Sequence, residues 1–240
     1  QKNFRNLAEI LSEYRTRTGA DFTITGQYIC RSKEHESQEY YNLLSSAGFK
    51  ILEIGIESGS EQVRWHMGKK FTNHDVDVLL ERLHKADMKA VLLFIVGYPT
   101  ETIEDFHHTM DMLTRYQPYV ESGTVVEACL GGTQHIDPNS ALGKDPHILT
   151  SIDSKGNVDY FNWTYTLNPD LTFKERIRRR LVIMEHAQSL DYLSPTNNQE
   201  IAILRKRWKN VNETNNTTAN NDCLAARPEL AHQGQQAITA

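Results

Sequence analysis

The chain has 240 residues, which is enough for one large domain or two small ones. A hydrophobic share of 39% fits a soluble globular protein with a disordered part, and the net charge of -5 argues against nucleic acid as the main partner. No apolar run is long enough to cross a membrane and the N-terminus lacks a signal-peptide pattern, so we expect no membrane partner and a cytoplasmic location.

The cysteines exclude a compact metal motif within this sequence. Cys30, Cys129 and Cys223 are far apart, and an odd, sparse set fits reduced thiols better than a disulfide framework. We therefore predict no metal ligand in this chain. The first residue is Gln1 rather than Met, which is consistent with a fragment of a longer protein.

Helices and strands are predicted to alternate through the first half of the chain. The spacing of apolar residues predicts, in order, a helix over 3–17, a strand over 21–29, a helix over 37–47, a strand over 51–56, a helix opened by a capping box at Thr72 and Asp75, a strand over 91–96, a helix capped by Thr102, and a strand over 123–130. This order implies a parallel α/β sheet. The unbroken apolar run at 91–96 predicts a strand that is buried on both faces.

The second half of the chain is less regular. Residues 131–170 are rich in Gly, Pro, Asn and Asp, which predicts a long loop with a hairpin near Gly156. A second capping box, at Thr172 and Glu175, predicts a strong helix, and a short helix is expected over 201–208. These patterns predict a folded part over 1–190, an extension over 191–209 and a disordered, Asn-rich tail over 210–240.

Polar residues follow the predicted strands where each strand ends. Arg31 follows the first strand, Glu57 and Ser58 follow the second, and the turn 97–101 follows the third. Carboxyl ends of parallel strands meet at one edge, so we expect these groups to converge. They suit a ligand that carries an ammonium, a carboxylate, ribose hydroxyls and a heterocycle. A Walker loop and a glycine-rich dinucleotide fingerprint are absent.

Three motifs resemble the radical S-adenosylmethionine (SAM) superfamily. They are Ile-Glu-Ser-Gly-Ser at 56–60, Met-Gly-Lys-Lys at 67–70, and Phe-Ile-Val-Gly-Tyr-Pro-Thr-Glu-Thr at 94–102. They look most like the branch whose members often carry a cobalamin-binding domain upstream. The resemblance covers about residues 1–190 and is strongest at 50–115. Each motif is weak alone, but the first and third together, each after a buried strand, are more specific.

The resemblance implies a partial, TIM-like (β/α)6 barrel, of which this chain would hold about the last four strands. In that family a CxxxCxxC loop binds a 4Fe-4S cluster, and SAM is cleaved reductively to a 5′-deoxyadenosyl radical. CxxxCxxC is absent from this sequence. The resemblance therefore implies that an upstream segment supplies the cluster ligands, with cobalamin as a further cofactor of this branch. Gly132-Thr133 resembles the Gly-Thr turn that follows the last strand.

The family's SAM contacts can be carried over by position. Glu57 and Ser58 match residues at the ribose or methionine part, and the strand end from Ile95 to Pro99 matches the adenine wall. Arg31 matches a frequent basic position. Gly97 has no Cβ, which would let the backbone approach a flat ring. The predicted cofactor-binding residues are Arg31, Glu57, Ser58, Ile95, Gly97, Tyr98 and Pro99, and no catalytic residue is assigned.

Other functions remain open at this stage. The chain could be a non-catalytic α/β module that binds a nucleotide or a partner, or a degenerate barrel. It could also be a metal-independent barrel enzyme with Glu57 as general base. In the radical SAM interpretation, the loop at 131–170 would face an unknown substrate, and the main partner would be the upstream segment.

Overall fold

The computed structural model describes residues 2–31, 36–131, 135–152 and 155–214. Its main elements, in chain order, are α1 (Lys2–Thr18), β1 (Ile24–Tyr28), α2 (Gln38–Ser46), β2 (Phe49–Glu57), α3 (Glu61–His66), α4 (Asn73–Lys85), β3 (Lys89–Phe94), α5 (Ile103–Glu121), β4 (Val125–Cys129), β5 (Ile148–Ile152), β6 (Val158–Tyr165), α6 (Phe173–Ser189) and α7 (Pro195–Thr214). The predicted alternation is confirmed from α1 to β4. The short helix α3 is an additional element between β2 and α4.

Strands β1 to β4 form one parallel sheet in the order β1-β2-β3-β4. The predicted α/β class, with a four-stranded parallel sheet flanked by helices, is therefore confirmed. Leu52 and Ile54 of β2 lie beside Ala90 and Leu92 of β3, and all four side chains are fully buried. This face of the sheet carries the main hydrophobic core, which is shared with the helices.

The prediction that β3 is buried on both faces is wrong. Its residues alternate between buried and half-buried, and Val91 and Leu93 belong to the half-buried set. The reason is that helices cover one face, whereas the other face carries polar neighbours. Glu53 of β2 and Glu127 of β4 lie beside Val91 in the sheet register. An apolar run alone therefore did not indicate how the second face is covered.

The predicted helix caps are largely confirmed. Thr72 accepts a hydrogen bond from the amide of Asp75, whose carboxylate accepts one from the amide of Thr72, and the same reciprocal pair opens α5. At α6 only half of the predicted box forms. Thr172 accepts from the amide of Glu175 at 3.1 Å, but the Glu175 carboxylate binds Arg178 and Arg179 instead.

The segment after β4 contains the predicted hairpin, formed by the antiparallel strands β5 and β6. It has a small core of its own, in which Ile136, Ile148, Trp163 and Leu171 pack together. Arg176 of α6 stacks on Trp163 at 3.7 Å, so the hairpin is tied to the helix that follows it. The predicted long loop is thus a partly folded unit. The predicted Gly-Thr turn at 132–133 lies outside the described residues.

The C-terminal helix is longer than the sequence indicates. Helix α7 begins at Pro195 and continues to Thr214, whereas a short helix over 201–208 was expected. It is anchored by Ile201 and Leu204, which are buried in the main core. The first residues of the predicted tail, 210–214, therefore belong to α7, and residues 215–240 lie outside the described part. Among the helices of the described residues, none is both long enough and apolar enough to cross a membrane.

Candidate functional site

The backbone is irregular where β2 ends. The register between β2 and β3 shifts between Gly55 and Glu57, and Glu57 has a φ of 69°. This left-handed conformation costs a non-glycine residue on the order of 1 kcal/mol. The carbonyl of Glu57 still accepts the N–H of Ile95 at 2.8 Å, which keeps the strand ends together. The carboxylate accepts a hydrogen bond from Lys69 Nζ at 2.5 Å.

A cavity of about 410 Å³ lies beyond the carboxyl ends of β2 and β3. The ion pair of Glu57 and Lys69 lies in its lining together with the acidic side chain of Asp137, and most of the remaining residues are apolar or aromatic. Those remaining residues are Met67, Ile95, Tyr98, His135, Ile136, Ser140 and Leu142. A charged pair next to apolar and aromatic side chains suits a ligand that combines charged groups with a flat ring.

Three of the seven predicted cofactor residues, Glu57, Ile95 and Tyr98, come together around this cavity. Ser58 is not among its lining residues. Its side chain is 0% exposed, and its hydroxyl accepts the N–H of Ser60 at 3.1 Å and lies 3.4 Å from that of Thr109. The structure therefore uses this hydroxyl to attach the β2 turn to α5. The ligand contact assigned to Ser58 stays a prediction.

Gly97 and Pro99 shape the turn after β3 from behind the cavity wall. Gly97 has a φ of 77°, and a Cβ there would lie 2.9 Å from Cγ of Arg176. Glycine is thus required by the backbone conformation and by the packing of α6, a reason the sequence did not show. Pro99 is buried, and its carbonyl accepts the side-chain amide of Asn168 at 3.0 Å. Contact of these two residues with a ligand stays a prediction.

Arg31 lies at a second cavity, of about 310 Å³, at the end of β1. Cys30, Lys69 and Lys70 line this cavity as well, so three cationic side chains surround it. Lys69 belongs to both cavities and links them. Arg31 therefore neighbours the Glu57 cavity without lining it, and its predicted role in cofactor binding stays a prediction.

The two described cysteines are not poised as thiolates. Burial, with a smaller contribution from Asp75, raises the pKa of Cys30 to about 12, and burial also raises the pKa of Cys129. A neutral buried thiol behaves as a small apolar side chain. Within the described ranges, no group of three or more His, Cys, Asp or Glu residues could hold a metal ion.

Sequence reasoning missed Lys69 as a site residue. In the sequence Lys69 is one residue of the motif at 67–70, and its partner Glu57 lies twelve positions earlier in the chain. The pairing arises because α3 and the turn after it bring Lys69 back to the end of β2. The sequence does contain a signal for this pair. Glu57 ends a strand, a short helix follows, and the cationic Lys69 comes soon after that helix.

The amino-acid sequence is similar to those of known proteins. The model of the Radical SAM superfamily matches residues 4–113. Over 70 residues the chain is 36% identical to ribosomal protein uS12 methylthiotransferase RimO of Clostridium botulinum and 34% identical to tRNA-2-methylthio-N(6)-dimethylallyladenosine synthase of Thermotoga petrophila. Each match covers 28% of this chain and 16% of the relative, so the chain corresponds to a small part of either protein.

Solved structures show a similar fold. TsrM, a radical SAM methyltransferase from Kitasatospora setae with cobalamin and a 4Fe-4S cluster bound, has a TM-score of 0.55 at 12% identity. That match covers 80% of this chain and 41% of TsrM. OxsB, with aqua-cobalamin and SAM bound, has a TM-score of 0.52 at 13% identity, covering 86% of this chain and 35% of OxsB. At these identities the likeness concerns the fold alone.

Proposed function

Because residues 4–113 belong to the radical SAM superfamily, we propose that this chain is the C-terminal part of a radical SAM enzyme domain that binds SAM in the Glu57 cavity. The observation that carries the proposal is the convergence of Glu57, Lys69, Ile95 and Tyr98 on one cavity at the carboxyl ends of β2 and β3. Such strand ends are where parallel α/β folds place their ligands.

The residues present suit the chemistry of SAM. The ammonium of Lys69 would hold the carboxylate of the methionine part, and the carboxylate of Glu57 would accept from the amino group or from ribose hydroxyls. Ile95 and Tyr98 would pack against adenine, whose flat faces favour apolar and aromatic contacts. When it binds beside a reduced 4Fe-4S cluster, SAM supplies a 5′-deoxyadenosyl radical.

The described residues do not suit the cluster itself. They offer no grouping of metal ligands, and the cysteines of the sequence are too widely spaced. We therefore assign the cluster ligands to a segment that precedes Gln1 in the intact protein. Such a segment would dock next to β1 and α1. Apolar side chains are exposed there, namely Ile29 after β1 and Leu7, Ile10 and Tyr14 of α1.

The substrate would approach from the hairpin side of the cavity. Residues 135–142, which belong to the predicted substrate-facing segment 131–170, supply half of the cavity lining. The uS12 and tRNA methylthio group transfers named for the relatives suggest a group transfer for the intact protein as well. Cobalamin remains part of the proposal as a cofactor of the same branch, without an assigned residue in this chain.

The test is to express the chain with its preceding segment, to reconstitute it with iron and sulfide without oxygen, and to measure 5′-deoxyadenosine from SAM. We expect product with the wild-type protein and a marked loss in Glu57→Gln. Binding of SAM without any product would favour the alternative, a non-catalytic nucleotide-binding module. If the protein shows no SAM binding and no product, the proposed function is contradicted.

A further inference from the structure

The turn after β3 is held in place by side chains that come from outside the cavity. Within the turn, the amide of Gly97 donates to the carboxylate of Glu101 at 3.1 Å, and the amide of Glu101 donates to the carbonyl of Tyr98 at 2.8 Å. The Glu101 side chain is 1% exposed. A charged group at that depth needs a partner, and the partner is supplied by α6.

Arg179 is this partner. Its guanidinium donates to the Glu101 carboxylate at 3.0 Å and to the carbonyls of Glu101 and Thr102 at 3.0 and 2.9 Å. Its Nε donates to Glu175, one turn earlier on α6, at 2.9 Å. One buried side chain therefore fixes both the carboxylate and the main chain of the turn.

Asn168 holds the same turn from the end of the hairpin segment. Its side-chain amide donates to the carbonyls of Pro99 and Glu101 at 3.0 and 2.9 Å. These two bonds carry no net charge, and Asn168 is only half-buried. The residue can therefore be changed without leaving a buried ion unpaired.

Arg176 connects the turn with the other wall of the cavity. Its aliphatic part packs beneath Gly97, and its guanidinium donates to the carbonyls of Phe161, Trp163 and Leu171 at 2.9 to 3.1 Å. The first turns of α6 thus contact both the turn that presents Tyr98 and the hairpin unit that presents residues 135–142.

We propose that Asn168 and Arg179 are positioning residues for the cavity: they hold the main chain of Gly97 to Glu101 so that Tyr98 and Ile95 face the ligand. This inference rests on the proposed function and adds to it, because neither residue lines the cavity. Arg176 contacts both that turn and the hairpin segment, so it sets the distance between the two walls.

Hydrogen exchange of the Gly97 and Glu101 amides, with SAM affinity by equilibrium dialysis, tests the proposal on the full chain. The variants are Asn168→Leu, which has a similar volume and removes the donor without adding a charge, and Arg179→Met. Arg178→Met is the matched control, because Arg178 binds only the Glu175 carboxylate among these groups. Urea unfolding then separates local from global effects.

We expect both amides to exchange about tenfold faster in Asn168→Leu and the SAM affinity to fall about tenfold, as the loss of two hydrogen bonds implies. Arg178→Met should leave both unchanged even if it lowers the free energy of unfolding. If Arg179→Met does not fold, Asn168→Leu decides alone. Wild-type rates or wild-type affinity in Asn168→Leu would overturn the inference. A wild-type chain that binds no SAM would refute the proposed function, and the inference with it.

Discussion

The two edges of the parallel sheet differ in how the chain covers them. At β4 the amide of Ala128 donates to the carbonyl of Tyr192 at 3.0 Å, and Asn197 of α7 donates to the Glu127 carboxylate at 2.5 Å. At β1 no other part of the described chain pairs with the outer side of the strand. Ile29, just after β1, is 67% exposed. Within the described residues, one edge is covered and the other is open.

An open edge with adjoining apolar surface is a site where a further strand can be added. Among the described strands, β1 therefore offers the edge for a further strand, and it lies on the side toward earlier residues of the chain. The closed side carries α6, α7 and the hairpin, all of which follow β4. This asymmetry supports the proposal that further β/α units precede this chain, with the cluster ligands among them.

The largest effect is expected from Tyr192, the residue that covers β4. Its side chain is fully buried, and its hydroxyl donates to the carbonyl of Leu113 at 2.7 Å. Tyr192→Ala should lower the free energy of unfolding by about 3–5 kcal/mol, as for other buried aromatic residues. The matched control is Tyr14→Ala on α1, which is 45% exposed and should change the stability by about 0.5 kcal/mol or less. Equal losses in urea unfolding would contradict the asymmetry.

A pH-dependent effect is expected at Glu101. Burial raises its pKa from 4.5 to about 7, although Arg179 and the Gly97 amide act in the opposite direction. Between pH 4.5 and about 7 the Glu101 carboxyl keeps its proton in the folded chain but loses it in the unfolded chain. The stabilisation that comes from this proton is therefore complete below pH 4.5 and is lost as the pH rises to about 7.

The stability of the wild type relative to Glu101→Gln should therefore fall by up to about 3 kcal/mol across this window. Glu36→Gln is the control on the open side, since Glu36 pairs with the exposed Arg5 at 3.3 Å. It should cost about 1 kcal/mol or less throughout. Urea unfolding at several pH values measures the free energy of unfolding of both variants and of the wild type. If the difference in this free energy between the wild type and Glu101→Gln does not vary with pH, the Glu101 carboxyl keeps its ordinary pKa.

Amide exchange compares the two edges directly. No described residue pairs with the amides of β1 that point away from β2, whereas the outer amide of Ala128 is bonded to the carbonyl of Tyr192. We expect the former to exchange at least about tenfold faster than the latter. In a longer protein that includes the preceding segment, β1 should become as protected as β4. Protection of β1 that is already complete in the 240-residue chain would contradict an open edge.

The smallest change in stability is expected at Ile29 itself. Because the side chain is mostly exposed, Ile29→Ser should alter the free energy of unfolding by about 0.5 kcal/mol or less. It should nevertheless reduce concentration-dependent association, since exposed apolar surface at a sheet edge favours it. Sedimentation velocity at several concentrations provides the measurement. A large loss of stability would mean that Ile29 already packs against something.

The order of elements could be predicted because local patterns determine it. Apolar spacing identified every strand of the parallel sheet, and the capping boxes at Thr72 and Thr102 identified two helix starts. The failures arose where tertiary contacts decide. Glu175 prefers two arginines to the backbone amide of Thr172, and α7 extends beyond the predicted helix because Ile201 and Leu204 are buried in the core.

The candidate site was predictable only in part, for the same reason. Strand ends place Glu57, Ile95 and Tyr98 at one edge by topology alone, and these three line the cavity. The sequence could not show that the Ser58 hydroxyl lies against that of Thr109, or that the packing of Arg176 leaves no room for a Cβ at Gly97. In both cases the partner is distant in the chain. Side chains near a motif can serve the fold rather than the ligand.

The central claim, that the Glu57 cavity is a SAM site, is tested most directly by equilibrium dialysis of the chain with SAM. The informative variant is Lys69→Met, compared with Lys85→Met, because Lys85 forms an ion pair of the same 2.5 Å length with Glu81 on the exposed face of α4. We predict saturable binding that weakens about tenfold or more in Lys69→Met and is unchanged in Lys85→Met, since a hydrogen bond to a charged group contributes about 1.5–3 kcal/mol. No saturable binding, or the same affinity in both variants, would contradict the account.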